Sequence, residues 1–352
     1  MKILIVGGNF DNQSGSSSSV INKLFNSLKK DFSNKGFDDI DLLNGGSINQ
    51  LKSVDFKSLD VLFWAPNISN DEEKIIPDIK ALNQKLFLIS SKRVVEKEYK
   101  ESDVVGRLLK TKSNLGVMIT KDQFYNFQLL DPLGNMYCNT QNIDVLSNSI
   151  VERVLFVKHL SRLGSKRVGD KKDFEINEEF LKFVRYSGKE FTKYVNAINP
   201  NRLLGNASTR CMFGFPAEKQ DERIFVTQRN IDKALIESKG FVEVTTSEDC
   251  VEYFGDKKPS VDTPIQVRLF NYYRNINYMV HGHVYIENAK MTDNKIPCGY
   301  VEEFDEIKDL FPSRDEKVIL INLRGHGCLL MSESVEDLWK LGHYCSREFP
   351  ES

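Results

Sequence analysis

Residues 277–286 read NYMVHGHVYI, an apolar run with the look of a buried strand, yet two of the chain's five histidines stand in it one residue apart. Successive strand side chains point to opposite faces, so His281 and His283 emerge on one face while Gly282 and Val284 take the other. Two imidazoles on one face suit a metal ion. They equally suit a pair of neutral histidines packed and hydrogen-bonded in a core. A zinc site needs at least a third ligand, commonly from a distant part of the chain.

About forty residues downstream, KVILINLRGHGCLLMS (317–332) reads as a strand whose end bears His326 between two glycines. Flanking glycines let the backbone turn sharply and leave the imidazole uncrowded, which makes His326 the candidate third ligand. Upstream, GDKKPSVDTPIQVRLFNYYRNINYMVHGHV (255–284) places Asp262 at the start of a helical stretch leading into the His strand. A carboxylate there can be a fourth ligand, a partner behind a ligand, or a base working on bound substrate. It can also simply cap the helix beside Pro264.

At 352 residues the chain is long for one core, and two domains are the natural expectation. A net charge of −2 gives no global case for nucleic acid or an anionic membrane as partner. The amino terminus, MKILIVGGNF, is too short an apolar run for a signal peptide, and no other stretch is long enough to span a bilayer. A cytoplasmic protein is expected. Six cysteines without a C-x-x-C pair speak against a disulfide framework or a cysteine zinc ribbon.

The first part alternates apolar runs (KILIVGG, IDLLNGG, LDVLFWAPN, LFLISSKR, LGVMITK) with helical patterns, one of them from about Ser18 and one from about Asn142. That alternation predicts a Rossmann- or flavodoxin-like, doubly wound parallel sheet. GGNFDNQSGSSSS, after the first strand, is either an anion cradle for a nucleotide, flavin or phosphate, or a loop ending in a serine cap. Asn67 and Asn70, beyond a later strand, are ligand candidates or ordinary loop residues.

LGSKRVGDKKDFE (163–175) mixes glycine and charge without apolar period and reads as the boundary. This gives a first domain over 1–165 and a second over 174–352. The second opens with a helix whose core face is Phe180, Val184, Phe191 and Val195.

In the second domain the order of motifs resembles the class II aldolase/adducin family. LLGNASTR (203–210) looks like the family's G-N-x-S-x-R strand, IFVTQRNID (224–232) like its I-T-P-S-G segment, and KPSVDTP (258–264) like its P-S-S-E or P-S-S-D-T-P turn. VHGHVY is similar to its H-x-H metal pair, IPCG (296–299) to a recurrent interior segment, and RGHG to its third histidine. The resemblance covers about 175–345. It implies a three-layer α/β/α fold, a zinc or other divalent ion on His281, His283 and His326, and a homo-oligomer, often a tetramer, whose neighbouring subunit completes the site. It puts Asp262 at the catalytic acid position and Asn206, Ser208, Arg229, Asn230 and Ser260 in the substrate-binding segments.

The implied activity is that of a lyase or isomerase, of aldolase or epimerase type, acting on a small hydroxy-ketone or sugar phosphate through a metal-stabilised enediolate. A non-catalytic, adducin-like interaction module is the competing expectation. Three departures stand out. The family's Ser-Gly pair is Arg229 and Asn230, and its second turn serine is Val261. A longer tail carrying a tyrosine acid is missing after the expected VEDLWKLGHYCSREF helix, where Tyr344 is a poor substitute.

Overall fold

Short apolar runs separated by amphipathic helices leave the first unit little choice but a sheet covered by helices. The computed structural model describes residues 1–68, 75–94, 101–121, 123–171, 173–195, 203, 205–213, 221–246, 250–342 and 344–346. Asn70 lies outside them. The chain divides into two compact units, Met1–Phe156 and Val157–Ser352. Among the described residues, no helix is long and apolar enough to cross a membrane.

The first unit runs β1 (Ile3–Asp11), α1 (Ser19–Ser33), β2 (Ile40–Ser47), α2 (Ile48–Lys52), β3 (Val61–Asn67) and α3 (Ile75–Leu82). It continues through β4 (Phe87–Val94), α4 (Glu101–Thr111), β5 (Leu115–Lys121), β6 (Tyr125–Leu130), β7 (Met136–Thr140) and α5 (Ile143–Lys158). The strand order is β2-β1-β3-β4-β5-β6-β7, with the first five parallel. That is the flavodoxin-like order. One face packs Leu4, Val6, Leu62 and Trp64 against Ile48, Leu51 and Ile79 of α2 and α3. The alternate residues face α1, where a Cβ on Gly7 would lie 2.5 Å from the Ile21 side chain.

The antiparallel hairpin β6-β7 is an addition to the expected all-parallel sheet. Its signal was local. Asp131 Oδ1 accepts the amides of Leu133 and Asn135 at 2.8 and 3.0 Å, and Gly134 takes φ +85°, so the DPLGN stretch turns the chain back on itself.

In the second unit β8 (Gly164–Gly169), α6 (Glu178–Val195), β9 (Asn206–Phe213), β10 (Asp221–Thr227), β11 (Phe241–Thr246) and β12 (Cys250–Phe254) come first. Then follow α7 (Thr263–Tyr272), β13 (Tyr278–Gly282), β14 (Tyr285–Ile286), β15 (Lys290–Met291), α8 (Glu302–Leu310), β16 (Val318–Leu323), β17 (Gly327–Ser332), α9 (Val335–Lys340) and β18 (Cys345–Ser346). The large sheet has the order β15-β16-β17-β13-β9-β10-β11-β12-β8. One face buries Val226, Val244, Met279 and Leu329 with Ile265, Leu269 and Phe270 of α7 and Ile307 of α8. The other buries Ala207, Phe225, Val280 and Leu330 with Phe180, Val184, Phe191 and Val195 of α6, the expected core face, and Leu338 of α9. Helices on both faces make three layers, α/β/α.

Three sequence expectations need correction. The division of the chain falls at Phe156/Val157, ahead of 163–175, because 164–169 is not a linker but edge strand β8, paired in parallel with β12. The His326 stretch is not one strand but the hairpin β16-β17, with Arg324, Gly325 and His326 in its turn. Gly325 and Gly327 there take φ +73° and +146°, and a Cβ on Gly327 would lie 2.0 Å from the Gly282 carbonyl oxygen. Lastly, α9 stops at Lys340 rather than running on, since Gly342 turns left-handed at φ +42°, and Tyr344 lies beyond the helix with 76 % of its surface exposed.

Arg210 in GNASTR proves to be a structural residue. The last carbonyls of a helix have no partner within it. The Arg210 guanidinium donates to the carbonyls of Phe270 in the last turn of α7, of Tyr273 at its C-cap, and of Arg274 and Ile276 just beyond, fixing α7, which carries Asp262 at its start, against β9. Arg210→Met should therefore lower stability by about 3 kcal/mol, read as a shift in denaturation midpoint at unchanged m.

Candidate metal centre

Register puts the site together. β13 runs antiparallel to β9 with His281 opposite Asn206. Directly opposed residues share a face, and since Met279 packs on the α7 side, so do His281 and Asn206. His283 follows just past the end of β13, and the glycine turn of β16-β17 brings in His326. Ring centroids are 4.9 Å apart for His281 and His283, 4.5 Å for His281 and His326, and 5.1 Å for His283 and His326. One nitrogen from each ring lies within 4.8 Å of the others, and all three residues are buried.

Outer contacts fix which nitrogen faces inward. His281 Nδ1 donates to the Cys328 carbonyl at 2.8 Å, and His326 Nδ1 donates to Glu303 Oε1 at 2.8 Å. Both Nε2 atoms then point at the centre, held by the kind of outer carbonyl or carboxylate contact that orients metal ligands. Neither Nε2 has a hydrogen-bond partner among the described residues.

Asp262 occupies the N-cap position of α7, but its side chain makes no cap bond. It turns instead toward the imidazoles, with Oδ2 3.9 Å from His281 Nε2 and Oδ1 3.9 Å from His326 Nε2. Tetrahedral bonds of about 2.1 Å put neighbouring donors about 3.4 Å apart, so the spacing fits ligands around one ion better than direct hydrogen bonds. Asp262 Oδ1 is buried without a hydrogen-bond partner among the described residues. Three orphaned inward atoms, each worth about 1–3 kcal/mol of desolvation when left so, fit a divalent cation.

Asn206 steadies the acid. Its Nδ2 donates to Asp262 Oδ2 at 3.0 Å and Ser260 Oγ at 3.1 Å, while Gln266 donates to its Oδ1. Ser208 sits two residues deeper on the same face, fully buried. The amide of Ser260 donates to the Thr227 carbonyl and that of Arg229 to the Lys258 carbonyl, so the VTQRN and KPSVD segments lie side by side. Asn230 has φ +60°, the left-handed conformation where the family's glycine was expected. Arg229 is exposed; partial desolvation and the neighbouring Arg162 lower its proton affinity, and Asp262 partly offsets them.

Burial, aided by His326, pushes His281 down to about 4, which keeps it neutral and ready to ligate. Burial also works to lower His326, but Cys298 and Glu303 facing it outweigh that and hold it well above the ordinary histidine value. Metal uptake must then displace a proton. Burial raises Glu303 too, against the pull of His326.

Glu303, Gln266 and Lys233 escaped the sequence reading, since a buried glutamate in an EEFDEI helix start looks like any solvated acid. Lys233 is buried, its Nζ donating to the carbonyls of Leu203 (2.7 Å) and Ile231 (3.0 Å). Desolvation lowers it to about 8 despite Asp232 and Asp262. In the first unit, Asn67 donates to Asn9 at 3.0 Å. Ser18 caps α1, and the serine run lines a cavity of about 440 Å³ with Asn9, Arg93, Lys121 and Tyr125.

No family model and no curated protein matches the chain. Among solved structures, L-fuculose 1-phosphate aldolase is 14% identical, with 47% of this chain and 84% of that chain covered at a TM-score of 0.31. The N-terminal class II aldolase domain of a conserved protein from Thermoplasma acidophilum is 16% identical, covering 48% and 90% at 0.35. A DNA/pantothenate metabolism flavoprotein from Streptococcus pneumoniae is 14% identical, covering 44% and 98% at 0.35. Likeness at this level says nothing about activity.

Elemental analysis should find about one divalent ion per chain after reconstitution, lost in His281→Ala and in His326→Ala. Glu303→Gln should weaken retention about tenfold to hundredfold in chelator competition. Lys233 makes a separate prediction. Its folded value lies below the ordinary 10.5, so between about pH 8 and 10.5 the unfolded chain binds more protons and stability rises with pH. Lys233→Met should lack that rise, seen as a smaller Tm difference between pH 8 and pH 10.

Proposed function

We propose that the second unit is a divalent-metal lyase or isomerase, of aldolase or epimerase type, acting on a small hydroxy-ketone or sugar phosphate. The observation that carries this reading is Asp262: an acid released from helix capping, locked by Asn206 and turned with a free oxygen toward the imidazoles of His281 and His326. A scaffold protein has no use for four desolvated polar side chains in one place, each a cost to folding. The ion supplies Lewis acidity and stabilises the negative charge that develops beside a carbonyl when an adjacent bond breaks.

Within this reading each residue has a separable task. Asn206 holds Asp262 Oδ2, leaving Oδ1 to accept a proton from the carbon or hydroxyl under attack. Glu303 fixes the His326 tautomer. Arg229, standing in for the family's Ser-Gly pair, grips the anionic end of the substrate with paired charge-assisted hydrogen bonds. The Asn230 left-handed turn presents it.

Asp262→Asn should keep its metal yet lower turnover about a hundredfold or more, with solvent exchange of substrate protons lost in parallel. Unchanged exchange would remove Asp262 as the base. Arg229→Met should raise KM for a phosphorylated substrate far more than for its uncharged analogue, at unchanged metal content. Equal effects on both substrates would sink the anion role.

A further inference from the structure

Cys298, in the IPCG segment, brings a sulfur to the Asp262 and His326 side of the centre, His326 being shared with the three-histidine group. Its Sγ, a carboxylate oxygen of Asp262 and a ring nitrogen of His326 lie within 4.8 Å of one another. Asp262 and His326 are each more than nine-tenths buried, and Asp262 Oδ1 and His326 Nε2 have no hydrogen-bond partner among the described residues. The backbone is shaped to hold the thiol there. Gly299, at φ +81°, lies so close to Val261 that an added Cβ would stand 2.5 Å from its Cγ1 and 2.9 Å from its carbonyl oxygen. Only glycine lets the 298–299 segment press against the turn that carries Asp262.

A cysteine serving as core filler faces apolar groups. This one faces an imidazole edge and a carboxylate. We propose that Cys298 is a sulfur ligand of the metal ion, so that the centre takes a thiophilic divalent cation of the zinc type over magnesium or calcium. On binding, the S–H bond breaks, the proton leaves to water and the sulfur gives an electron pair to the ion. Asp262 then keeps its free oxygen for proton transfer. The inference rests on the three-histidine metal reading but can fail separately from it.

The test uses the full chain, stripped of metal and titrated with cobalt(II) alone. The wild type should bind about one cobalt and show visible bands together with a near-ultraviolet thiolate-to-cobalt charge-transfer band. Cys298→Ser should keep the visible bands, lose the near-ultraviolet one, and bind zinc about tenfold or more weakly with magnesium binding unchanged. Cobalt bound to the wild type without the charge-transfer band, or a band that survives in Cys298→Ser, overturns the sulfur ligand and leaves the histidines standing. No cobalt bound at all overturns both. X-ray absorption on the wild-type zinc protein needs no variant: a sulfur shell at about 2.3 Å supports the ligand, and a purely nitrogen and oxygen shell overturns it.

Discussion

Taking a carboxylate and three imidazoles out of water together costs several kcal/mol, and no single hydrogen bond offsets it. The second unit is arranged around that constraint. His281 and His326 each spend one nitrogen on an outer acceptor, the Cys328 carbonyl and the Glu303 carboxylate, which commits the other to the centre. Asp262 is held by Asn206, and Asn206 in turn by Gln266. What remains unsatisfied points to one place.

The fold supplies the rigidity this requires. β13 lies between β9 and β17, buried on both faces by separate cores, so a slip in register would carry His281 to the wrong side of the sheet. Two helix starts then deliver the acids, α7 bringing Asp262 and α8 bringing Glu303. Arg210 ties the far end of α7 and the turn after it to β9 through the carbonyls of Phe270, Tyr273 and Ile276. The arginine of the GNASTR stretch acts here as the fastener of the helix that bears the acid.

Much of the site was legible because its residues are chemically rare and conformationally marked. H-x-H in an apolar run, a histidine between glycines and an aspartate before a threonine-proline helix start each limit the local geometry, and their order along the chain did the rest. The first unit was legible for a different reason: apolar runs alternating with amphipathic helices permit few arrangements, although the β6-β7 hairpin was passed over despite its DPLGN turn. Boundaries were less legible. Residues 164–169 carry the glycine and charge of a linker and still form an edge strand, because an edge position tolerates exposed charged side chains.

By itself the sequence determined the kind of sheet in the first unit, and it marked out three histidines and an aspartate as a candidate metal site. Those features depend on local periodicity and on side chains whose chemistry leaves few uses. Only the tertiary structure decided whether Asp262 caps its helix or faces the histidines, which imidazole nitrogens are committed inward, and that Glu303, Gln266, Lys233 and Cys298 belong to the same neighbourhood. Burial and partner choice are set by strands and helices that meet from distant parts of the chain, and a glutamate or lysine in an ordinary charged run carries no mark of the desolvation it will undergo.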